Sequence, residues 1–421
     1  MTYFRISDGL AMPRKGVPDQ TVGKGSAAHC AALVGADFFG LRPAVKVGVG
    51  DAVASGQIVL RDRRHPEIAF AAPLSGRVTA IEFGPRRTLS TLIIQSDPGI
   101  AVASEDSAPL TTATDADLRT LLLARGLWPG FRTRPFGFIP KPQDQPGAIV
   151  VNAVPASVLA PAPRVVIAER AEAFRDGLSS LPLLTDGPVF LCRDAGFDYL
   201  TPPVERITEA VFAGTSAAGL AGTQINRLCR AGTARQVWSV GYQDVIAIGH
   251  LLRTDQYLAE RIISVGGPCA TQPRLVRSVL GTDLHAFTAD ETRTDGASAC
   301  TVLSGDPLTG CEANFLRRYH DQVTLTDPIH PMGRPSRLHS LLVQRSAITP
   351  MSSLERAMAL DILPVPLMRA LSVGDAEAAE RLGCLELIEE DVAALSRLCT
   401  SGADYGHLLR DILDQLAVDA A

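Results

Sequence analysis

Residues 41–60, LRPAVKVGVGDAVASGQIVL, and 71–81, AAPLSGRVTAI, restrict the fold more than any other part of the chain. Short runs of β-branched and aliphatic residues are separated there by Gly-Asp and Ser-Gly pairs, the residues that tight hairpin turns demand. The pattern predicts a small sandwich built from hairpins.

The spacing of Val45, Lys46, Gly48, Asp51, Val53, Gly56 and Gln57, followed by Ala72, Pro73, Ser75, Gly76 and Val78, resembles the barrel-sandwich fold of biotinyl and lipoyl carrier domains. In such carriers a lysine at the tip of the central hairpin receives the cofactor. Here the tip reads Asp62-Arg63-Arg64-His65-Pro66. A guanidinium stays protonated and is not nucleophilic, so it cannot form the amide link. Lys46 sits in a different turn. The module is therefore expected to be a rigid docking or scaffolding element with no covalent cofactor.

At 421 residues the chain is about three times a usual domain, which predicts three or four domains, each with its own core. Its eight cysteines contain no C-x-x-C pair, so neither a zinc ribbon nor an iron–sulfur run is written here, and a reducing compartment fits. The eight histidines never fall at i, i+4, and no metal site is expected. The start, MTYFRISD, lacks the basic and apolar regions of a secretory signal. Two uncharged stretches, 145–163 and 210–226, approach membrane-spanning length but are broken by prolines and glycines respectively, so no transmembrane helix is expected. A net charge of −5 leaves no broad basic field, which argues against nucleic acid as a partner.

A polar, acidic connection over 104–117 leads into 124–142, ARGLWPGFRTRPFGFIPKP. Strands are predicted at Ala148–Val154 and Val189–Arg193, with a helical pattern at Arg164–Leu178 between them, the signature of an open α/β layer. The glycine-rich connection 213–225 precedes 236–251, read as a buried helix. Beyond Leu360 the chain reads as helical, with Leu408, Leu409, Ile412, Leu413 and Leu416 at helical spacing.

The motifs RTRPF (132–136), AGTSAAGLAGT (213–223), VW followed by YQDVIAIG (237–249), GPCATQPRLVRSVLG (267–281), LDILP (360–364) and GCLEL (383–387) resemble the A-subunit family of the bacterial sodium-translocating NADH:quinone reductases, over almost the whole chain. The resemblance implies a peripheral protein on the cytoplasmic face of the bacterial inner membrane. Such a protein belongs to a respiratory pump coupled to sodium transport and NADH oxidation, is associated with ubiquinone reduction, and is not catalytic alone. Its partners would be the other subunits and the quinone, with the membrane reached only through those subunits. It also implies kinship with the flavin-binding subunit of complex I. The implied organisation is an α/β multi-domain protein. It comprises an N-terminal barrel-sandwich module (1–103), a degenerate flavin-type α/β domain (104–257), a β-grasp module like the soluble-ligand-binding domains (258–345) and a helical C-terminus (346–421).

Within that framework several positions depart from the family. Where a flavin-binding relative would place a glycine turn, this chain has RTRPF, whose bulk opposes close approach of a phosphate to the backbone. Where relatives place histidines, Ser216, Gln224, Asn226 and Ser239 stand, and 326–351 looks shortened. Phe131, Arg132, Arg134, Pro135 and Phe136 are candidates for a quinone pocket, as are Phe39 and Arg42, because a quinone needs an apolar slot and donors to its carbonyl oxygens. The competing reading makes the arginines ion-paired structural residues and the phenylalanines core. Gly214, Gly219 and Gly222 have no lysine or G-K-[ST] after them, so a plain turn into a helix is expected rather than a phosphate cradle. Tyr242, Gln243 and Asp244 are either site residues or a hydrogen-bonded core network. Two rivals to the quinone role are a pure docking protein and a flavoenzyme with an unusual site; the latter would be yellow, and a colourless protein is expected.

Overall fold

The structure, a computed structural model, describes residues 2–10, 14–23, 25, 28–100, 114–196, 205–232, 235–285, 300–327 and 347–419. Most of the acidic connection and of the shortened 326–351 stretch lies outside these residues. The first two strands, β1 (Thr2–Ile6) and β2 (Asp19–Val22), join sheets formed mainly by the second and third units. The expected 1–103 grouping puts them in the first module, yet their backbone partners lie elsewhere, and the chain's opening thereby laces three units together.

The first module contains β3 (Cys30–Val34), β4 (Pro43–Val45), β5 (Ala52–Val53), β6 (Ile58–Asp62), β7 (Ala69–Ala71), β8 (Gly76–Phe83) and β9 (Leu89–Ser96). They form two antiparallel sheets, β3-β9-β8-β5 and β4-β6-β7, that close over Val53, Leu60, Phe70, Val78, Leu92 and Ile94. The β6–β7 hairpin is held by buried Asp62, whose carboxylate accepts from the backbone N–H of Arg42 (3.2 Å) and Arg64 (3.1 Å). Arg63 and Arg64 project from its tip into solvent. The module does not swing free, because its core runs on into that of the next domain through Phe70, Leu118, Leu122 and Trp128. At this junction a Cβ on Gly126 (φ +74°) would meet the Ala71 backbone nitrogen at 2.9 Å, so only glycine lets the two segments approach.

The second unit opens with α1 (Asp115–Ala124), started by a reciprocal capping box between Thr114 and Asp117. It continues through β10 (Phe131–Arg134), β11 (Ala148–Ala153), α2 (Pro163–Glu169), α3 (Ala171–Ser180), β12 (Val189–Arg193), β13 (Ile207–Gly214), α4 (Ala221–Leu228), β14 (Val237–Gly241) and α5 (Tyr242–Thr254). The sheet runs β1-β13-β12-β11-β14-β10, with only β10 antiparallel. Along β11, Ile149 and Val151 pack towards α3 and α5, while Ala148 and Val150 pack with Ile225 of α4. Both faces are therefore covered, as a parallel sheet requires. The expected helix over 236–251 is corrected to a strand followed by a helix. A buried strand and a buried helix both read as largely apolar runs, and the break at Gly241-Tyr242-Gln243 is where one gives way to the other.

The third unit is a six-stranded sheet made by β15 (Glu260–Gly266), β16 (Arg274–Val279), β17 (Thr301–Ser304), β18 (Cys311–Glu312) and β19 (Gln322–Thr326), in the order β18-β17-β19-β15-β16-β2. The β15–β16 hairpin turns through Gly266-Gly267-Pro268. The tail is helical as expected: α6 (Ser352–Ala357), α7 (Pro364–Val373), α8 (Ala376–Arg381), α9 (Glu389–Leu398) and α10 (Tyr405–Asp419) enclose Leu367, Leu371, Val392, Leu395, Leu409 and Leu413.

This helical bundle docks on the α/β sheet through a buried charge cluster. Arg134, fully shielded at the end of β10, points an Nη2 at Glu390 and Asp391, 3.4 Å from each. Asp391 also caps α9 by accepting from the Ile388 N–H at 2.9 Å. Burial pushes its carboxyl up to about 6, against the pull of Arg134. Breaking one side of a buried pair typically costs about 3–5 kcal/mol. Arg134→Ala is expected to fall at or below the low end of that range at pH 8, because Asp391 can escape by taking up a proton, and to cost less at pH 5. Denaturant melts of the wild type and variant at both pH values measure the difference.

Candidate functional site

The chain leaves β11 towards β12 and β13, then returns on the opposite side of β11 to form β14. In a doubly wound sheet, the crevice beyond the carboxyl ends of two strands whose connections diverge in this way is the standard place for a ligand. A cleft of about 380 Å³ opens at this point. Asn152 and Val154 at the end of β11, Ser239–Asp244 at the β14–α5 junction and Arg132 on β10 supply its floor. The first module contributes Asp37 and Phe39, the third unit Arg261, Asp306 and Arg317–Gln322, and the helical tail Glu389 and Glu390. All four units thus converge on one cavity.

Its walls are held by ion pairs that cross unit boundaries. The Asp244 carboxylate, in the first turn of α5, accepts from Arg261 (2.7 Å) and from both terminal nitrogens of Arg318 (2.8 and 3.2 Å). Burial favours the neutral acid, but the two guanidiniums overcome it and hold the carboxyl below its ordinary range. Asp37 pairs with Arg317 and accepts from the Arg318 backbone N–H at 3.0 Å. Arg410 grips Glu389 with two nitrogens, at 2.5 and 3.0 Å, and lies over the Phe39 ring at 4.0 Å. Tyr242 donates its hydroxyl to Asp321 at 3.2 Å. Burial pushes the Asp321 carboxyl up to about 6 and the Tyr319 hydroxyl up to about 12.

Of the expected site residues, Arg132 and Phe39 line the cleft. Arg132 stacks over the Tyr319 ring at 4.6 Å and approaches Glu390 at 3.6 Å. The other five do not reach it. Phe131 is fully buried between Trp128 and Trp238. Arg134 is consumed by Glu390 and Asp391, Pro135 is interior, and Phe136 packs towards the helical tail. Arg42 is exposed beside the β6–β7 hairpin. Alternation along β10 turns Phe131 to the opposite face from Arg132, whereas Arg134 shares the face of Arg132 and is covered by Glu390 and Asp391. Tyr242, Gln243 and Asp244 all line the cleft, and Gln243 also pins β15 by bonding both backbone groups of Ile262. Sequence reasoning missed Arg317-Arg318-Tyr319-His320-Asp321, five consecutive polar or aromatic residues between apolar segments.

The three glycines of the 213–222 connection answer to protein contacts. A Cβ on Gly214, Gly219 or Gly222 would collide with the Ile6 carbonyl, the Ala156 backbone or the Asp391 carboxylate, at 1.9, 2.5 and 2.2 Å respectively. An acidic side chain so close to the start of α4 opposes an anion there. Six carboxylates line the cleft against four guanidiniums, which also disfavours a nucleotide phosphate. The residues present therefore do not fit a flavin nucleotide. Ser216 donates to the Leu10 carbonyl, Gln224 to Asn152 and Asn226 to Glu386, and Ser239, which lines the cleft, donates to the Arg132 carbonyl at 3.4 Å.

Asp321 gives a pH test of this geometry. Its folded carboxyl titrates near 6 rather than at the ordinary 3.8, so between those values the folded state keeps a proton the unfolded state has lost. Stability then falls as pH rises through that window and levels off above it. Asp321→Asn is expected to gain roughly 1–2 kcal/mol at pH 8, discounted for the part of the side chain that water reaches, and to gain nothing at pH 4. Chemical denaturation across that range reads the difference directly.

Comparison with known proteins matches residues 4–97 to the NqrA N-terminal barrel-sandwich hybrid domain, 113–257 to the NqrA second alpha/beta domain and 262–314 to the NQRA C-terminal domain. The chain is similar to the A-subunit of the Na(+)-translocating NADH-quinone reductase of Shewanella frigidimarina, with 38% identity over 441 residues covering 98% of each chain. It is 37% identical to that of a Marinomonas species over 448 residues, covering 97% of this chain and 98% of the relative. The corresponding protein of Neisseria meningitidis serogroup B is 36% identical over 450 residues, covering 98% and 99%. Similarity of this extent, spanning all the units that build the cleft, shows that the chain belongs to the NqrA family, the A-subunits of the Na+-translocating NADH-quinone reductases.

Proposed function

We propose that the chain serves the quinone-reduction step of a sodium-translocating NADH:ubiquinone oxidoreductase. In this reading it is a peripheral subunit on the cytoplasmic face of the bacterial inner membrane, and its cleft holds the quinone headgroup. The observation that carries this reading is the convergence of all four units on one cavity at the switch point of the sheet. Phe39 and Tyr319 offer aromatic faces there, and Arg132 offers a cation able to hydrogen-bond a carbonyl oxygen and to favour a reduced, anionic ring.

Electrons would come from partner subunits, since in this reading the chain carries no covalent cofactor. The hairpin tip presents Arg63 and Arg64 where a carrier keeps its lysine, and the α/β domain is of a flavin-binding type whose crevice has turned acidic. Among the described residues no helix is long and apolar enough to cross a membrane, so contact with the bilayer is assigned to the other subunits. The exposed tip of the first module is a candidate surface for binding them.

A docking role without quinone has one observation in its favour: Arg261, Arg317 and Arg318 are already neutralised by Asp244 and Asp37. Equilibrium dialysis of the full chain with a short-chain ubiquinone separates the two. Saturable binding is expected, weakened roughly tenfold or more in Arg132→Ala and Phe39→Ala and unchanged in Arg42→Ala. Absence of saturable binding by the wild type would leave the docking role.

A further inference from the structure

One ring in the cleft is held in place by a hydrogen bond at one nitrogen and by contact with a glycine. His320 lies in the Arg317–Asp321 segment of the third unit and lines the cavity. Its Nδ1 is 2.9 Å from the Ser304 hydroxyl at the end of β17. The same hydroxyl accepts from the Arg317 backbone N–H at 2.9 Å. A serine oxygen that already accepts a backbone N–H retains one proton to give, and Nδ1 lies in position to receive it. In the tautomer that takes up this proton, the neutral ring carries its own hydrogen on Nε2. Burial opposes the charged imidazolium, so the ring stays neutral around pH 7.

The ring is also clamped sterically. A Cβ on Gly305 would come within 3.0 Å of both Cε1 and Nδ1 of His320, and Gly305 itself sits at φ +94°, where a side chain would be strained. The imidazole therefore rests against a glycine and is fastened at one nitrogen. Among the described residues the ring's side-chain hydrogen bond is the one through Nδ1. A donor whose orientation is set beforehand binds a carbonyl with little further loss of side-chain freedom.

Resting on the quinone reading above, we propose that His320 is a ligand-binding residue that donates its Nε2–H to a carbonyl oxygen of the ring bound in the cleft, with Ser304 as the positioning residue that selects this tautomer. The donor thus comes from the third unit, whereas Ser216, Gln224, Asn226 and Ser239 supply no imidazole from the second.

Two measurements on the full chain test it. The first is the ring-nitrogen NMR spectrum of ¹⁵N-histidine-labelled protein near pH 7, without ligand. The expected result is a protonated Nε2 and bare Nδ1 for His320, assigned by its loss in His320→Gln, with the tautomer mixing in Ser304→Ala. A protonated Nδ1 in the wild type would overturn the inference whatever the quinone does. The second is dialysis with a short-chain ubiquinone. His320→Ala is expected to raise Kd about tenfold, and His320→Gln, which keeps an N–H at nearly the same reach, to recover most of that loss. Wild-type binding that is undiminished in His320→Ala overturns this inference and leaves the quinone reading standing. No saturable wild-type binding overturns both.

Discussion

The Asp244 carboxylate is the contact on which the arrangement of the units depends. It sits at the first turn of α5 in the α/β domain and neutralises Arg261 on β15 and Arg318 in the segment before β19. The backbone of Arg318 in turn bonds to Asp37 of the first module. One side chain therefore ties two sheets directly and a third unit through a single intermediate. The cost of burying these charges is met only when all partners arrive together. Such a cluster is better suited to defining one relative orientation of the units than to adding net stability.

A second cluster does the same for the helical tail. Arg134, Glu390 and Asp391 meet beneath the cleft, while Arg410 reaches over its rim to Phe39 and Glu389. The cleft is consequently a product of assembly within the chain. None of the four units contains it alone, and its shape follows from how the charge clusters set the units against one another. The acidic excess of its lining separates it from the phosphate-binding crevices that the same sheet topology commonly supports.

Much of this was legible in the sequence where local chemistry decides structure. The turns of the first module, the strands β11 and β12 and the helical tail each follow from residues a few positions apart. The helical pattern across Arg164–Leu178 is divided in the fold at Arg170, which leaves helical geometry at φ −142°. The 236–251 segment misled because a buried parallel strand and a buried helix are both continuous apolar runs. In the site, Arg132 and Phe39 were recognisable by residue type, but Arg134 was indistinguishable from Arg132 without knowing that Asp391, more than 250 residues away, would cover it. The Arg317–Asp321 segment was missed for the same reason, since its partners Asp37, Tyr242 and Asp244 are distant in sequence.

The central claim is that the quinone headgroup occupies this four-walled cleft. The most direct measurement is photolabelling of the full chain with an azido-substituted short-chain ubiquinone, followed by mass-spectrometric mapping of the adducts. Adducts are predicted on cleft peptides containing Phe39, Arg132 and Tyr319, suppressed by excess unlabelled ubiquinone. Competed adducts confined to other surfaces, such as the hairpin tip at Arg63 and Arg64, would contradict the claim, as would labelling that excess quinone does not suppress.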